Sequence, residues 1–213
     1  MAKKHDPFPI SLQLKTSLGA MSVLYRKLGT VRMAKVTAAI SLAQARGEPF
    51  KTLAPPEDER ERLSRKQAGP AILLYKALRE VVGPEEALEL SREVVIDGAV
   101  RFLGHSVGPL DRETMAGLDD AQREKLIRSM GERFFNATLR WDEISVERIR
   151  FTVTRCRFPE LCRVAGVPEV APLLCAGDAV YFGEVVGTVE MQRQDTIAGG
   201  AECCDFELTW KDD

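Results

Sequence analysis

Apolar residues recur at helical spacing through the first 135 residues and then switch to alternation. Leu12, Leu14, Leu18, Met21, Tyr25 and Leu28 predict a helix over 9–28. Val31, Ala34, Ala38, Leu42 and Ala45 predict a second over 30–46, closed by Gly47. The run Pro55-Pro56-Glu57-Asp58-Glu59 marks a helix start, because acids favour the positive N-terminal end of a helix. Gly-Pro pairs at 69–70, 83–84 and 108–109 punctuate the chain, and proline is tolerated in a first turn, where its missing N–H costs nothing. They place helices over about 70–82 and 84–103. A last helix over about 119–136 buries Leu126, Ile127, Met130 and Phe134.

Four segments after Asn136 alternate: 138–142, 148–154, 188–192 and 204–210, each with apolar side chains on every second residue, the mark of a half-buried strand. Short turns are expected within the first and last pairs. Residues 157–182, between the second and third strands, suit one or two helices broken around Gly166-Val167-Pro168. The predicted class is α+β: a helical N-terminal half (1–136) packed on a four-stranded antiparallel β-β-α-β-β sheet region (137–213), with one face of the sheet covered. The segment around 104–118 is the best linker candidate, and the two regions are expected to pack as one unit.

Composition narrows the function. Of 213 residues, 30 are Lys or Arg and 32 Asp or Glu, so the net charge of −2 lacks the basic excess of a nucleic-acid binder. No apolar run approaches the ~20 residues that span a membrane. Gln13 and Lys15 interrupt any signal-peptide core after Met-Ala-Lys-Lys-His-Asp-Pro, so a cytoplasmic protein is expected. Its expected partner is a small-molecule substrate, with neither nucleic acid nor membrane, and self-association into a homo-oligomer is left open. Five cysteines, an odd number with two adjacent, argue against a secreted disulfide framework.

All five cysteines lie between 156 and 204. Cys156 ends the second strand, Cys204 begins the fourth, and Cys175 and Asp178 share the segment between. With Asp205, three thiols and two carboxylates are candidates to meet at one rim of the sheet. Cys156 or Cys204 is a candidate nucleophile, since a thiolate attacks readily once its pKa is lowered, and Asp178 is a candidate general base. The plainer reading makes each cysteine a small core hydrophobe and Asp178 a cap. Cys204 is in phase with Phe206, Leu208 and Trp210, so it should face the core, and Cys203 should face away. Arg155 and Arg193 are candidate carboxylate binders. Arg155 shares the strand phase of Phe151 and Val153, which makes it the better placed. Cys175 joins them as a substrate-binding candidate. No cysteines are spaced as a Cys-x2–4-Cys pair, so neither metal nor other cofactor is predicted. No dinucleotide, phosphate-loop, serine-elbow or zinc-protease motif occurs. His105, near a helix end, reads as a capping or exposed residue, and His5 as part of a disordered terminus.

The run Val153-Thr154-Arg155-Cys156-Arg157-Phe158-Pro159-Glu160-Leu161-Cys162-Arg163 resembles part of the L-2-amino-thiazoline-4-carboxylic acid hydrolase family. So do the stretches 168–178, Pro-Glu-Val-Ala-Pro-Leu-Leu-Cys-Ala-Gly-Asp, and 196–206, which ends in Cys-Cys-Asp-Phe. The resemblance covers about 148–208 and puts Cys156, Asp178, Cys204 and Asp205 at motif positions. It implies an enzyme that hydrolyses a non-peptide C–N bond in a small cyclic amidine or thiazoline, opening it to a carbamoyl-cysteine. A strand ending in Cys, helices, and Gly-x-x-x-Cys-x-Phe is also similar to vinyl-4-reductase-type small-molecule-binding domains, without their glycine-rich approach to the third strand. That likeness implies the alternative, a non-catalytic small-molecule-binding or sensor module, with dependence on a metal or haem left open.

Overall fold

A computed structural model describes residues 6–108 and 110–211; His5 and Pro109 lie outside them. Helix α1 (Ile10–Ala45) combines the two helices expected from the pattern. They meet at Gly29, whose φ of 69° and ψ of 177° interrupt the helix in a region that favours glycine. Only Leu28 among the residues that predicted the first helix is buried. The core side is set by Val23, Leu24 and Val36, while Leu14, Leu18, Met21 and Tyr25 face solvent. The first half of α1 carries apolar residues on its exposed side as well as on its buried one, and α1 as a whole packs on α2 and α3.

Helix α2 (Glu59–Val82) starts where the acidic run indicated, with the Asp58 carboxylate accepting from the Glu61 amide at 2.6 Å. The break expected at Gly69-Pro70 is absent, because α2 runs straight through Pro70. Proline forfeits one helical hydrogen bond there, and the apolar face on both sides of it (Ala68, Ala71, Ile72) is buried. Gly83, at φ 87°, turns the chain into α3 (Pro84–Ser106). The segment suggested as a linker instead holds a short helix, α4 (Arg112–Ala116), and buries Val107, Leu110 and Met115. Helix α5 (Asp120–Gly131) opens on a reciprocal cap between Asp119 and Gln122 and ends earlier than expected.

Strands β1 (Ala137–Ile144), β2 (Arg148–Cys156), β3 (Val189–Gln192) and β4 (Cys204–Trp210) form one antiparallel sheet in the order β1-β2-β4-β3. Helices α6 (Arg157–Val164) and α7 (Ala171–Val180) follow β2, separated by the expected break and a 3-10 turn at Pro168–Val170. The β1–β2 turn is short. Residues 193–203, joining β3 to β4, form a longer loop than expected, with a 3-10 turn at Ile197–Gly199. This is the α+β class expected from the sequence, with helices covering the inner face of the sheet. One hydrophobic cluster joins α1–α3 to α6, α7 and the strands through Ile72, Leu78, Val153, Cys162 and Leu173. A second, around Met115, Ile149, Tyr181, Val189 and Leu208, lies under α4 and α5.

Helices α3 and α7 cross in close contact. A Cβ added to Gly177 would overlap the Ala99 methyl group. Gly177→Val should therefore destabilise the protein by about 1–3 kcal/mol through overpacking. Ala179→Val, at an exposed position on the same helix, should change stability by less than about 0.5 kcal/mol. Denaturant midpoints for the two variants check this.

Candidate active site

The inner face of the sheet, helices α3, α5 and α7, and the β3–β4 loop enclose a cavity of about 140 Å³. An apolar cavity of this size takes a single small ring. Its wall is mostly hydrocarbon and aromatic, including Phe102, Met130, Trp141, Phe151 and Phe206. The thiol, amide and charged side chains on it are Gln67, Asn136, Cys156, Cys175, Asp178, Arg193 and Cys204.

A bulge in β2 aims Cys156 inward. Thr138 pairs with Arg155 but Leu139 pairs with Val153, so Thr154 is an extra residue on β2. An inserted residue shifts the alternation by one position. Ile149, Phe151 and Val153 face inward; Thr154 and Arg155 are then both exposed and Cys156 is buried. Strict alternation would have made Arg155 the pocket residue. Instead Arg155 forms a two-pronged ion pair with Glu160, at 2.8 and 2.9 Å, outside the cavity. Cys156 takes a 3.6 Å hydrogen bond from the Asn136 amide nitrogen, and Cys204 takes one of 3.2 Å from the Ile197 backbone amide.

Asp178 projects from α7 and meets Arg193, just past the end of β3. Arg193 Nη1 donates to Asp178 Oδ2 at 2.8 Å, and Nη2 donates to the Cys175 carbonyl at 3.1 Å. The guanidinium lies 5.1 Å from the centre of the Phe206 ring, and Phe206 stacks on Phe151 at 4.7 Å. Burial against this wall pushes the Asp178 carboxyl up to about 6, and Arg193 pulls it down only in part. A carboxyl with that value exchanges protons near neutral pH.

Burial raises the thiols as well. Cys156 is pushed up chiefly by desolvation, although the Phe158 amide and Asn136 act the other way. The charges of Cys204 and Asp178 also act on it, which puts all three within electrostatic reach of one another. Cys175 is raised further, by burial and by Asp178. Cys204 is raised by burial against the pull of the Ile197 amide and Arg193. Cys162, off the cavity in α6, is pushed up to about 12. The three thiols on the cavity are therefore held in the neutral form.

Asp205 and Cys203 do not join this group. With Cys204 facing inward, the strand period turns Asp205 to the outer face, where its carboxylate accepts from Thr152 Oγ1 at 2.9 Å or shares that hydroxyl with Asp142. Cys203 lies beside it, 3.7 Å from Asp205 Oδ1. His105, in the last turn of α3, is 2.9 Å from the Asp6 carbonyl. Among the described residues no three His, Cys, Asp or Glu side chains are grouped to hold a metal ion, and no helix is long and apolar enough to cross a membrane. Two polar wall residues had no signal in the sequence. Gln67 sits in a polar stretch of α2 that reads as a solvated face, and Asn136 reads as the end of a helix.

The protein-family model described as L-2-amino-thiazoline-4-carboxylic acid hydrolase matches residues 62–208. Every residue on the cavity wall falls within that span, and α1 lies before it. No curated protein matches the chain.

The Asp178 value fixes a sign for stability against pH. Between about 4 and 6 the folded protein holds a proton that the unfolded chain has released, so this group's contribution to stability falls as pH rises and is level above the window. The whole effect is at most about 3 kcal/mol. Comparing wild type with Asp178→Asn isolates it from other carboxylates. The stability of the variant relative to wild type should rise between pH 4 and 6.5, as read from denaturant melts at the two pH values.

Proposed function

The chain belongs to the L-2-amino-thiazoline-4-carboxylic acid hydrolase family, and on that premise we propose that it opens the ring of a small cyclic amidine of the 2-amino-thiazoline-4-carboxylate type by adding water. The observation that carries this reading is one small, largely apolar cavity on which Asp178, Arg193, Cys156, Cys175 and Cys204 converge. Asp178 is the general base. Ionised above about pH 6, it takes a proton from water as the oxygen bonds to the C=N carbon. The electron pair of the C=N bond moves onto the ring nitrogen, and the proton returns from Asp178 to that nitrogen. As the tetrahedral carbon collapses, Asp178 carries its hydroxyl proton to the same nitrogen, so the C–N bond breaks to release a primary amine and the carbamoyl group stays on sulfur. Expulsion of sulfur instead would leave it on nitrogen with a free thiol, so a thiol titration of the product separates the two. Arg193 keeps further N–H donors for the substrate carboxylate beside those given to Asp178 and Cys175.

The cysteines shape and line the site in this reading. A thiol kept protonated by burial is a poor nucleophile, which favours water over Cys156 or Cys204 as the attacking group. The same neutral thiols and aromatic wall favour a second reading, a non-catalytic module that binds a small ring without transforming it. Asp205 and Arg155, both off the cavity, have no part in either.

Incubation of the purified protein with L-2-amino-thiazoline-4-carboxylate, followed by NMR, tests the proposal. Wild type should turn the ring over. Asp178→Asn should lose about 10²–10⁴-fold in rate, and Cys156→Ala and Cys204→Ala less than about tenfold. Binding by calorimetry without turnover would favour the second reading. Full activity in Asp178→Asn would remove Asp178 from the chemistry.

A further inference from the structure

Gln67 reaches the cavity from the middle of α2, and its Oε1 is enclosed by protein without a hydrogen-bond partner. The other carboxamide on the wall, Asn136, already donates to Cys156 Sγ. Folded proteins rarely leave a buried amide oxygen unpaired, and each such atom calls for an explanation. Ser91 and Ser106 also bury an unpaired hydroxyl oxygen, but neither lines the cavity. Gln67 differs because its side chain belongs to the wall of a space that a ligand can fill, and rotation about its broad terminal torsion brings Oε1 round to that space.

A carboxamide carries an acceptor and a donor side by side. The edge of a cyclic 2-amino amidine carries the complementary pair: an exocyclic N–H donor next to a ring nitrogen acceptor. Glutamine makes the same two-bond pairing with the amino and ring nitrogens of adenine. We propose that Gln67 is the amidine-reading residue of this cavity, its Oε1 accepting from the exocyclic amine and its Nε2 donating to the ring nitrogen. This deepens the ring-opening reading above and rests on its substrate class. It does not compete with Asp178 for the same electrons. Gln67 uses the lone pair in the plane of the ring, whereas attack at carbon creates a second pair on nitrogen out of that plane, and that is the pair Asp178 protonates. A ring carrying methyl in place of the 2-amino group leaves Oε1 unpaired and is selected against, as in any site built to satisfy a polar substrate group.

The experiment compares L-2-amino-thiazoline-4-carboxylate with its 2-methyl counterpart by calorimetry, which needs no turnover, on wild type and Gln67→Met. Wild type is expected to bind the 2-amino ring at least about tenfold more tightly, or about 1.4 kcal/mol. Gln67→Met should bring the ratio to within about threefold of unity while still binding the 2-methyl ring. Removing an unpaired buried oxygen should leave the ligand-free melting temperature of Gln67→Met equal to or above that of wild type, whereas a structural glutamine would lower it. A preference unchanged in Gln67→Met, or a lowered melting temperature, overturns the role of Gln67 and leaves the ring-opening reading standing. Failure of wild type to bind either ring overturns the substrate class and this inference with it.

Discussion

The ion pair between Asp178 and Arg193 is the constraint on which the rest of the site depends. Its members come from α7 and from the start of the β3–β4 loop, and they meet over the aromatic floor formed by Phe151 and Phe206. Neither charge is stable alone against such a wall. Arg193 offsets only part of what burial costs the Asp178 charge, so the pair fixes geometry more than it adds stability. Helix α7 is thereby tied to the sheet edge at the point where Gly177 lets it approach α3 closely. Cys175, one turn back, is held by the same guanidinium through its carbonyl. Position, charge state and cavity shape share one origin.

Whether the thiols or the carboxyl carry chemistry turns on how each responds to burial. A thiol and a carboxyl are both driven toward the neutral form in apolar surroundings. The thiols begin near the top of the physiological range, so burial moves them out of reach of neutral pH. The carboxyl begins well below it, so the same burial moves it in. Arg193 could lower a neighbouring thiol, and it does act on Cys175 and Cys204, but it is already engaged by Asp178 and its influence is outweighed by desolvation. Composition, with five cysteines in one region, draws attention to sulfur, yet the electrostatics of the cavity single out Asp178.

Periodicity made most of the fold legible, and it failed where one residue breaks a period. The four strands, and the inward orientation of Cys204, follow from alternation in Cys204-Asp205-Phe206-Glu207-Leu208. The same alternation turns Asp205 away, a consequence visible in the sequence once strand phase is taken strictly. Thr154 is different. Nothing in Thr152-Val153-Thr154-Arg155-Cys156 announces a bulge, because the extra residue is specified by the pairing of β2 with β1, and that exchange of Arg155 for Cys156 is a tertiary fact. Pro70 inside α2 and the exposed stripe on α1 are of the same kind: local rules gave the elements, and packing decided where a helix continues and which of its faces is buried.

Hydrolysis places opposed demands on such a site. An apolar wall is needed to raise the carboxyl and to give each polar contact its full weight, yet the reaction consumes water, which an entirely sealed cavity would not admit. The Asp178 side chain retains 27% of its exposure, whereas Arg193 retains 11%. The carboxyl therefore keeps more open surface than the cation that orients it. On the ring-opening proposal, water meets the carboxyl while the ring lies against the hydrocarbon side. A binding module has no need of it, since a carboxyl held near neutrality and reachable by solvent adds cost to a pocket that only has to hold an apolar ring.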